Sequence, residues 1–503
     1  MPAATATLPP LIRRLLDPAR TPLPAPVELI ETHASWVLLA GEFAWKIKKP
    51  LVLPFLDYGT VERRRACCEA ELRLNRRLAP QLYLDVVEFD GEPAVKMHRF
   101  DEAARLDHVC KRGALTPLHL SGLAAMLASF HAGAAVAPAP TFFGTPAHVL
   151  AAAVENFTEL SDMACGRFAA ELTRLKAWTR SEFSRLEPAF AARKAAGRVR
   201  ECHGDLHLGN MVLLDDVVVP FDGIEFNDDF RWIDVASEIA FVLVDLLDHG
   251  RPGLACWLLN EWLVASGDFA ALPLLRFYMA YRALVRAKVA AIRACQQAAG
   301  VAADCPEVRD YLALAQRIAV PPARPAGSRP KEVQSTLGVP TFCITHGLAG
   351  CGKTTASNAR LLADPQAATV RLRSDVERKR LFGLAAGVAS GSALDGGIYT
   401  LEANARTYAR LAELAEAALA DGWSVIVDAA FLKRGERDAF RALAARHGVV
   451  MEILAPQSPP AELVRRIAAR HGTGDASEAT VAVLERQRGY LEPLGADEPA
   501  VSA

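Results

Sequence analysis

Residues 347–354 read Gly-Leu-Ala-Gly-Cys-Gly-Lys-Thr, a complete G-x-x-x-x-G-K-[ST] pattern. Such a loop needs glycines where backbone N–H groups turn inward on phosphate oxygens. It also needs a lysine that reaches the β and γ phosphates and a hydroxyl that ligates Mg²⁺. The pattern dictates its surroundings as well: a strand delivers the chain into the loop, and a helix carries it away with its N-terminus toward the anion. Val339–Thr345 is a short β-rich run ending at the loop, and Lys353–Leu362 can continue as a helix. ATP-binding roles therefore fall on Gly347, Gly350, Cys351, Gly352, Lys353, Thr354 and Thr355, with Thr354 also a metal ligand.

The chain after residue 338 alternates strand and helix signals. Candidate strands are Phe342–Thr345, Val370–Arg373, Ser424–Val427 and Val449–Leu454, the pattern of an α/β parallel sheet with crossover helices. Asp375 ends the second strand beside the loop, a position suited to holding an acceptor hydroxyl; Arg373 and Arg378 flank it as anion partners. Ser374 or Asp375 capping the next helix is the plain alternative. Asp428 closes an apolar strand where a carboxylate can contact Mg²⁺ or water. Arg465, Arg466 and Arg470 lie on a short helical stretch before Gly472 and Gly474, a pattern that fits a mobile arginine-bearing lid and equally a solvated helix face.

A second set of phosphate-handling residues precedes this one. His203-Gly204-Asp205 is followed by Asn210, and an apolar strand, Val217–Phe221, ends at Asp222. A hairpin across Asp215-Asp216 would bring Asn210 and Asp222 to one end, where a hard cation could take both oxygens. Upstream, Phe43–Lys48 alternates as a strand, so Lys46 and Lys48 share a face. Lys46 is favoured as the phosphate-pairing lysine, with Lys48 open; Glu71 on the following helix is the expected partner, with Glu69 second. By resemblance to the protein-kinase fold, only Gly41 stands where a glycine-rich phosphate cover would be sought, and Met97–Phe100 is, on position alone, the expected adenine-facing hinge.

His-Gly-Asp-Leu-His-Leu-Gly-Asn resembles the catalytic loop of aminoglycoside phosphotransferases and choline-kinase-like enzymes, which share the protein-kinase fold with Gly in place of its Arg. The resemblance implies Asp205 as catalytic base, Asn210 and Asp222 as Mg²⁺ ligands, and Asp234 as a buttress of the loop. The second region resembles small P-loop kinases such as gluconate and shikimate kinases. Together the halves resemble bacterial fusions of the two, which implies an α+β bilobal domain followed by an α/β domain, each using ATP and Mg²⁺.

At 503 residues the chain is too long for one core. The proline-rich stretch Pro321–Pro330 reads as a linker. The expected organisation is an extension at 1–27, a phosphotransferase domain at 28–320, a linker at 321–337, a P-loop domain at 338–492 and a tail at 493–503. Net charge is −1, which provides no global attraction to nucleic acid. A small hydroxylated acceptor is favoured for each domain, with a polynucleotide 5′-hydroxyl or a regulatory nucleotide-binding role for the P-loop domain as alternatives. Scattered cysteines, no apolar leader and no membrane-length apolar run lead to a cytoplasmic expectation.

Overall fold

Alternating apolar residues on short strands need a second layer to cover them, and both sheets of this protein are built around that need. The computed structural model describes residues 8–53, 56–164, 166–297, 305–320, 340–392, 396–470, 476–498 and 500–501. The expected linker 321–337, and Gly472 and Gly474, lie outside them. The chain forms two compact units, one of Met1–Ala152 and Glu187–Asp245, the other of Ala153–Leu186 and Leu246–Ala503.

The first unit opens with α1 (Pro10–Leu16), β1 (Val27–Glu31), β2 (Ser35–Ala40) and β3 (Phe43–Lys48). Two-residue strands β4 (Val52–Leu53) and β5 (Leu56–Asp57) lead to α2 (Val61–Asn75), β6 (Tyr83–Phe89) and β7 (Glu92–His98). The antiparallel sheet runs β1-β2-β3-β7-β6. Trp36, Leu38, Trp45 and Ile47 pack on one face with Ile12 and Leu15 of α1, so part of the expected N-terminal extension contributes to this core. On the other side Cys68 of α2 meets Tyr83 and Val95, and Val212 and Val219 join them. Thr60 caps α2 by accepting from the Arg63 N–H.

Helices α3 (Leu106–Lys111) and α4 (Pro117–Gly133) follow; α5 (Pro146–Ala164) and α6 (Ala169–Ala195) belong mostly to the second unit, and the first resumes before β8 (Val199–Glu201). The expected hairpin forms from β9 (Met211–Leu214) and β10 (Val217–Pro220), with Asp215 and Asp216 at φ 47° and 61° in its turn. Such left-handed pairs match the twist of a tight hairpin. After α7 (Asp228–Arg231), β11 (Trp232–Asp234) pairs with β8 and leads into the buried α8 (Val235–Asp248). An antiparallel sheet with one helix, then helices around a loop-bearing hairpin, is the α+β kinase-like arrangement anticipated from sequence.

The second unit contains α9 (Pro252–Ser266), α10 (Leu272–Gln297) and α11 (Pro306–Ala319), followed by a parallel sheet. Its strands are β12 (Phe342–Thr345), β13 (Thr369–Arg373), β14 (Ser424–Asp428), β15 (Met451–Leu454) and β16 (Ala500–Val501). The order is β13-β14-β12-β15-β16. All four residues of β12 are buried, as expected of a central strand covered on both faces. The intervening helices are α12 (Lys353–Leu362), α13 (Ser374–Leu381), α14 (Leu401–Ala420), α15 (Arg434–Arg446), α16 (Pro460–Arg470) and α17 (Val481–Tyr490).

The outer edge of β13 does not end in solvent. Asn260 of α9 is wholly buried; its Nδ2 donates to the Thr369 carbonyl (2.8 Å) and its Oδ1 accepts the Arg371 N–H (2.6 Å). One side-chain amide thus completes the ladder as a further strand would. Among the described residues no helix is long and apolar enough to cross a membrane.

Candidate functional site

Strand β8 delivers the chain into Cys202-His203-Gly204-Asp205. The loop is gripped from beneath by Glu238 of α8, whose Oε1 accepts the N–H groups of His203 (2.5 Å) and Gly204 (2.9 Å). Its Oε2 lies 2.7 Å from His131 Nε2. Burial opposes ionisation of this carboxyl, but the bonds to His131 and the loop prevail and hold it at about 2. Gly204 sits at φ +90°, where an added Cβ would come within 2.7 Å of the Phe230 carbonyl, so no side chain fits there. The expected buttress, Asp234, holds buried Arg193 through two 2.6 Å contacts; Glu238 bonds the loop directly.

His203 is buried, and its Nε2 lies 2.9 Å from the Phe221 carbonyl. Because a carbonyl only accepts, Nε2 carries the proton, and burial keeps the ring neutral. Asn210 Nδ2 donates to the carboxylate and the carbonyl of Asp205, each at 3.0 Å. The Asn210 carbonyl accepts the Phe221 N–H (2.9 Å), which brings the end of β10 and hence Asp222 beside it. Asp222 takes φ 61°, fixed by its N–H to the Tyr83 hydroxyl (3.0 Å) and by Gly223 N–H to Asn75 (2.7 Å).

Lys46 bridges Glu71 (2.9 Å) and Asp222. Lys48 also reaches Glu71, at 2.7 Å, but is buried with Glu225 and Tyr58. Burial would lower both lysines, yet the facing carboxylates raise them well above the ordinary value. Burial likewise opposes the charge on Glu71, and the two lysines overcome it to hold the carboxyl at about 2. Glu69 is exposed. Asp205, Asn210, Asp222, Lys46 and Glu71 therefore lie together. Glu238, Tyr83, Asn75 and Glu225 were not anticipated; only Glu225, three residues past Asp222, left a trace in the sequence.

In the second unit β12 feeds the glycine loop, and Gly352 at φ +103° starts α12. Gly350, at φ +82°, passes so close to α16 that a Cβ would lie 2.8 Å from the Leu463 carbonyl. The Lys353 ammonium lies over the loop, donating to the carbonyls of Gly347 (2.8 Å) and Leu348 (2.9 Å). The Gly347 N–H is bonded to the Ala430 carbonyl (3.1 Å). A cleft of about 1090 Å³ opens here, lined by Lys353, Thr354, Asp375, Arg378, Asp428 and Arg466. Gly350, Cys351, Gly352, Thr355 and Arg373 also reach it.

Asp428 is buried at the end of β14, with Oδ2 accepting from Ser357 Oγ (3.2 Å). Arg378 donates to Ile398 O (3.2 Å) and Asn404 (2.9 Å) with its guanidinium over Tyr399. Arg466 spans Glu462 (2.7 Å), Ser458 (3.2 Å) and the Gly350 carbonyl (3.4 Å). Arg470 closes α16; its side chain lies outside the described residues. Both donor sets suit a hard cation: the Asn210 amide oxygen with the Asp222 carboxylate, and the Thr354 hydroxyl with Asp428.

The family described as AAA domain matches residues 342–494. Over the first part, the chain is similar to a choline/ethanolamine kinase family protein from Mesorhizobium loti, at 13% identity and a TM-score of 0.39, over 61% of this chain and 92% of that one. It is also similar to a choline kinase from Cryptosporidium parvum, at 9% identity and a TM-score of 0.36, over 58% and 88%. Uncharacterised proteins of Mycobacterium bovis and Mycobacterium tuberculosis are 31% identical over 466 residues, 91% of this chain and 89% of theirs. The chain therefore belongs to the family of these mycobacterial proteins.

Proposed function

We propose that the protein is a bifunctional ATP- and Mg²⁺-dependent kinase whose two regions each transfer a γ-phosphoryl group to a hydroxyl of a small molecule. The observation that carries this reading is the presence of two complete and separate arrays, Lys46–Glu71–Asp222 with Asp205 and Asn210, and the Lys353 cleft with Asp375 and Asp428. In the first, Asp205 orients and deprotonates the acceptor hydroxyl while Lys46, anchored by Glu71, pairs with the phosphates. Asn210 and Asp222 would hold Mg²⁺, which supplies neutralisation of phosphate charge.

In the second array, the inward N–H groups of the loop and Lys353 hold the phosphate tail, and Thr354 and Asp428 would hold Mg²⁺. Asp375 accepts the acceptor proton, with Arg373 and Arg378 compensating charge on that side and Arg466 on the lid side. Transfer is direct and in line, with no covalent intermediate. Small acceptors fit better than a nucleic-acid strand, because much of the basic run near Asp375 turns inward. Arg371 is bonded to Glu261, Lys379 to the Ala386 carbonyl and Arg380 to the Val264 carbonyl.

The test is a metabolite-pool screen for ATP-dependent products with wild type, Asp205→Asn and Lys353→Ala. Two product sets, each lost in one variant only, are expected. A single set lost in both variants refutes independent kinases and makes the P-loop domain a nucleotide-binding regulator.

A further inference from the structure

Two lysines share one carboxylate in the first unit, and only one of them retains access to solvent. Lys46 bonds Oε1 of Glu71 and reaches Asp222, with 14% of its side chain exposed. Lys48, two residues further along β3, takes Oε2 of the same carboxylate and is 1% exposed. Its remaining partners are the Glu225 carboxylate and the Tyr58 hydroxyl at 3.2 Å, and Tyr58 itself donates to Glu225. Lys48 thus ties together β3, α2 and the turn that begins at Asp222.

A buried charge persists only where its partners offset the hydration it has lost. Glu71 would be neutralised by Lys46 alone. The second lysine becomes necessary if Lys46 has to move. Phosphate oxygens gain Lys46 only by drawing it from Asp222, which in turn is needed for the metal. A Glu71 with both oxygens free would hold Lys46 back from that exchange. With Oε2 already occupied, only Oε1 competes for Lys46, and Glu71 stays paired wherever Lys46 goes.

We infer, on the reading of this array as an ATP site, that Lys48 is a positioning residue: by holding Glu71 Oε2 and Glu225 it fixes Glu71 and leaves Lys46 available to the phosphates. It acts through Glu71 and Lys46 and does not itself touch nucleotide.

The test is calorimetric titration of MgATP into the full chain carrying Lys353→Ala, which confines binding to the first array. Lys48→Met in that background lowers the melting temperature, because Glu71 and Glu225 lose a buried partner. It also weakens ATP binding about tenfold, the effect of one charge-assisted hydrogen bond. Adding Glu225→Gln removes the uncompensated carboxylate and restores the array's net charge, so the melting temperature recovers. ATP affinity nevertheless stays about tenfold weaker, because both Glu71 oxygens now hold Lys46. If affinity recovers together with stability, Lys48 is only a strut and the inference is overturned while the ATP site stands. If the Lys353→Ala protein binds no ATP, the ATP reading falls and the inference falls with it. Should Lys48→Met alone not fold, the double variant decides between these outcomes.

Discussion

Replacing Asn260 by leucine isolates what one side chain contributes to the P-loop sheet. In the native structure its amide satisfies two main-chain groups of edge strand β13, the Arg371 N–H and the Thr369 carbonyl. Leucine has similar bulk and no polar atom, so packing is largely kept and both bonds are lost. The Arg371 N–H then lacks a partner beside a buried residue, at a cost of about 1–3 kcal/mol. The Thr369 carbonyl keeps a weak contact from the Cys256 thiol (3.4 Å), so its loss is smaller. A total near 2–4 kcal/mol corresponds to roughly 30- to 1000-fold faster amide exchange where exchange proceeds by local opening. Hydrogen exchange read by mass spectrometry on a peptide covering Thr369–Arg373 measures it, with Phe342–Thr345 of central strand β12 as internal control. Exchange of β13 within threefold of wild type, with α9 still folded by circular dichroism, refutes the edge-sealing role. Equal acceleration in both strands would also refute it, since the effect would then be global.

Gly350→Ala must place a methyl group 2.8 Å from the Leu463 carbonyl at φ +82°, so it abolishes nucleotide binding in the second cleft while leaving binding at the first array intact, as calorimetric stoichiometry will show. Glu71 and Glu238 are both held at about 2 against an ordinary 4.5. Folded pKa values below the unfolded ones mean that their stabilisation is full above about pH 4.5 and is lost as pH falls toward 2. Acid unfolding followed by tryptophan fluorescence should therefore steepen in that window, and Glu238→Gln should flatten it. Arg193→Ala strands the buried Asp234 carboxylate and should cost about 3–5 kcal/mol in denaturant unfolding, whereas Arg193→Met with Asp234→Leu should recover most of it.

The parts of this structure that were legible in the sequence are those in which local chemistry forces local geometry. The glycine loop has to follow a strand and open a helix, and Asp215-Asp216 between two apolar runs has to turn. The four parallel strands carried their own apolar signature, and β16, two residues long, carried none. Lys46 and Lys48 could be put on one face by alternation, but alternation cannot say that both reach Glu71, Lys46 with Asp222 as its second partner and Lys48 with Glu225. Asn75, Tyr83 and Glu238 act through backbone groups far from them in sequence. Nothing about an asparagine inside α2 or a glutamate inside an apolar α8 announces such a partner.

Asn260 shows where reading by segments fails in principle. Proline and glycine mark where regular structure stops, so the stretch at 321–330 separates two kinds of pattern. That marking is silent about which helix covers which sheet. An edge strand must be sealed by something, and the sealing group can come from any part of the chain that reaches it. Here it comes from α9, a helix that precedes the proline-rich stretch, and Arg371 extends the contact from the same strand to Glu261 of that helix (3.2 Å). Because β13 leads directly into α13, whose first turn bears Asp375, that side of the P-loop cleft is built on a strand whose free edge belongs to the preceding helices. A fragment that begins after the proline-rich stretch should therefore bare that edge and self-associate. Restoring α9 by starting the fragment at Leu246 should suppress the association in sedimentation velocity, and a monomeric short fragment with native β13 exchange would contradict this account.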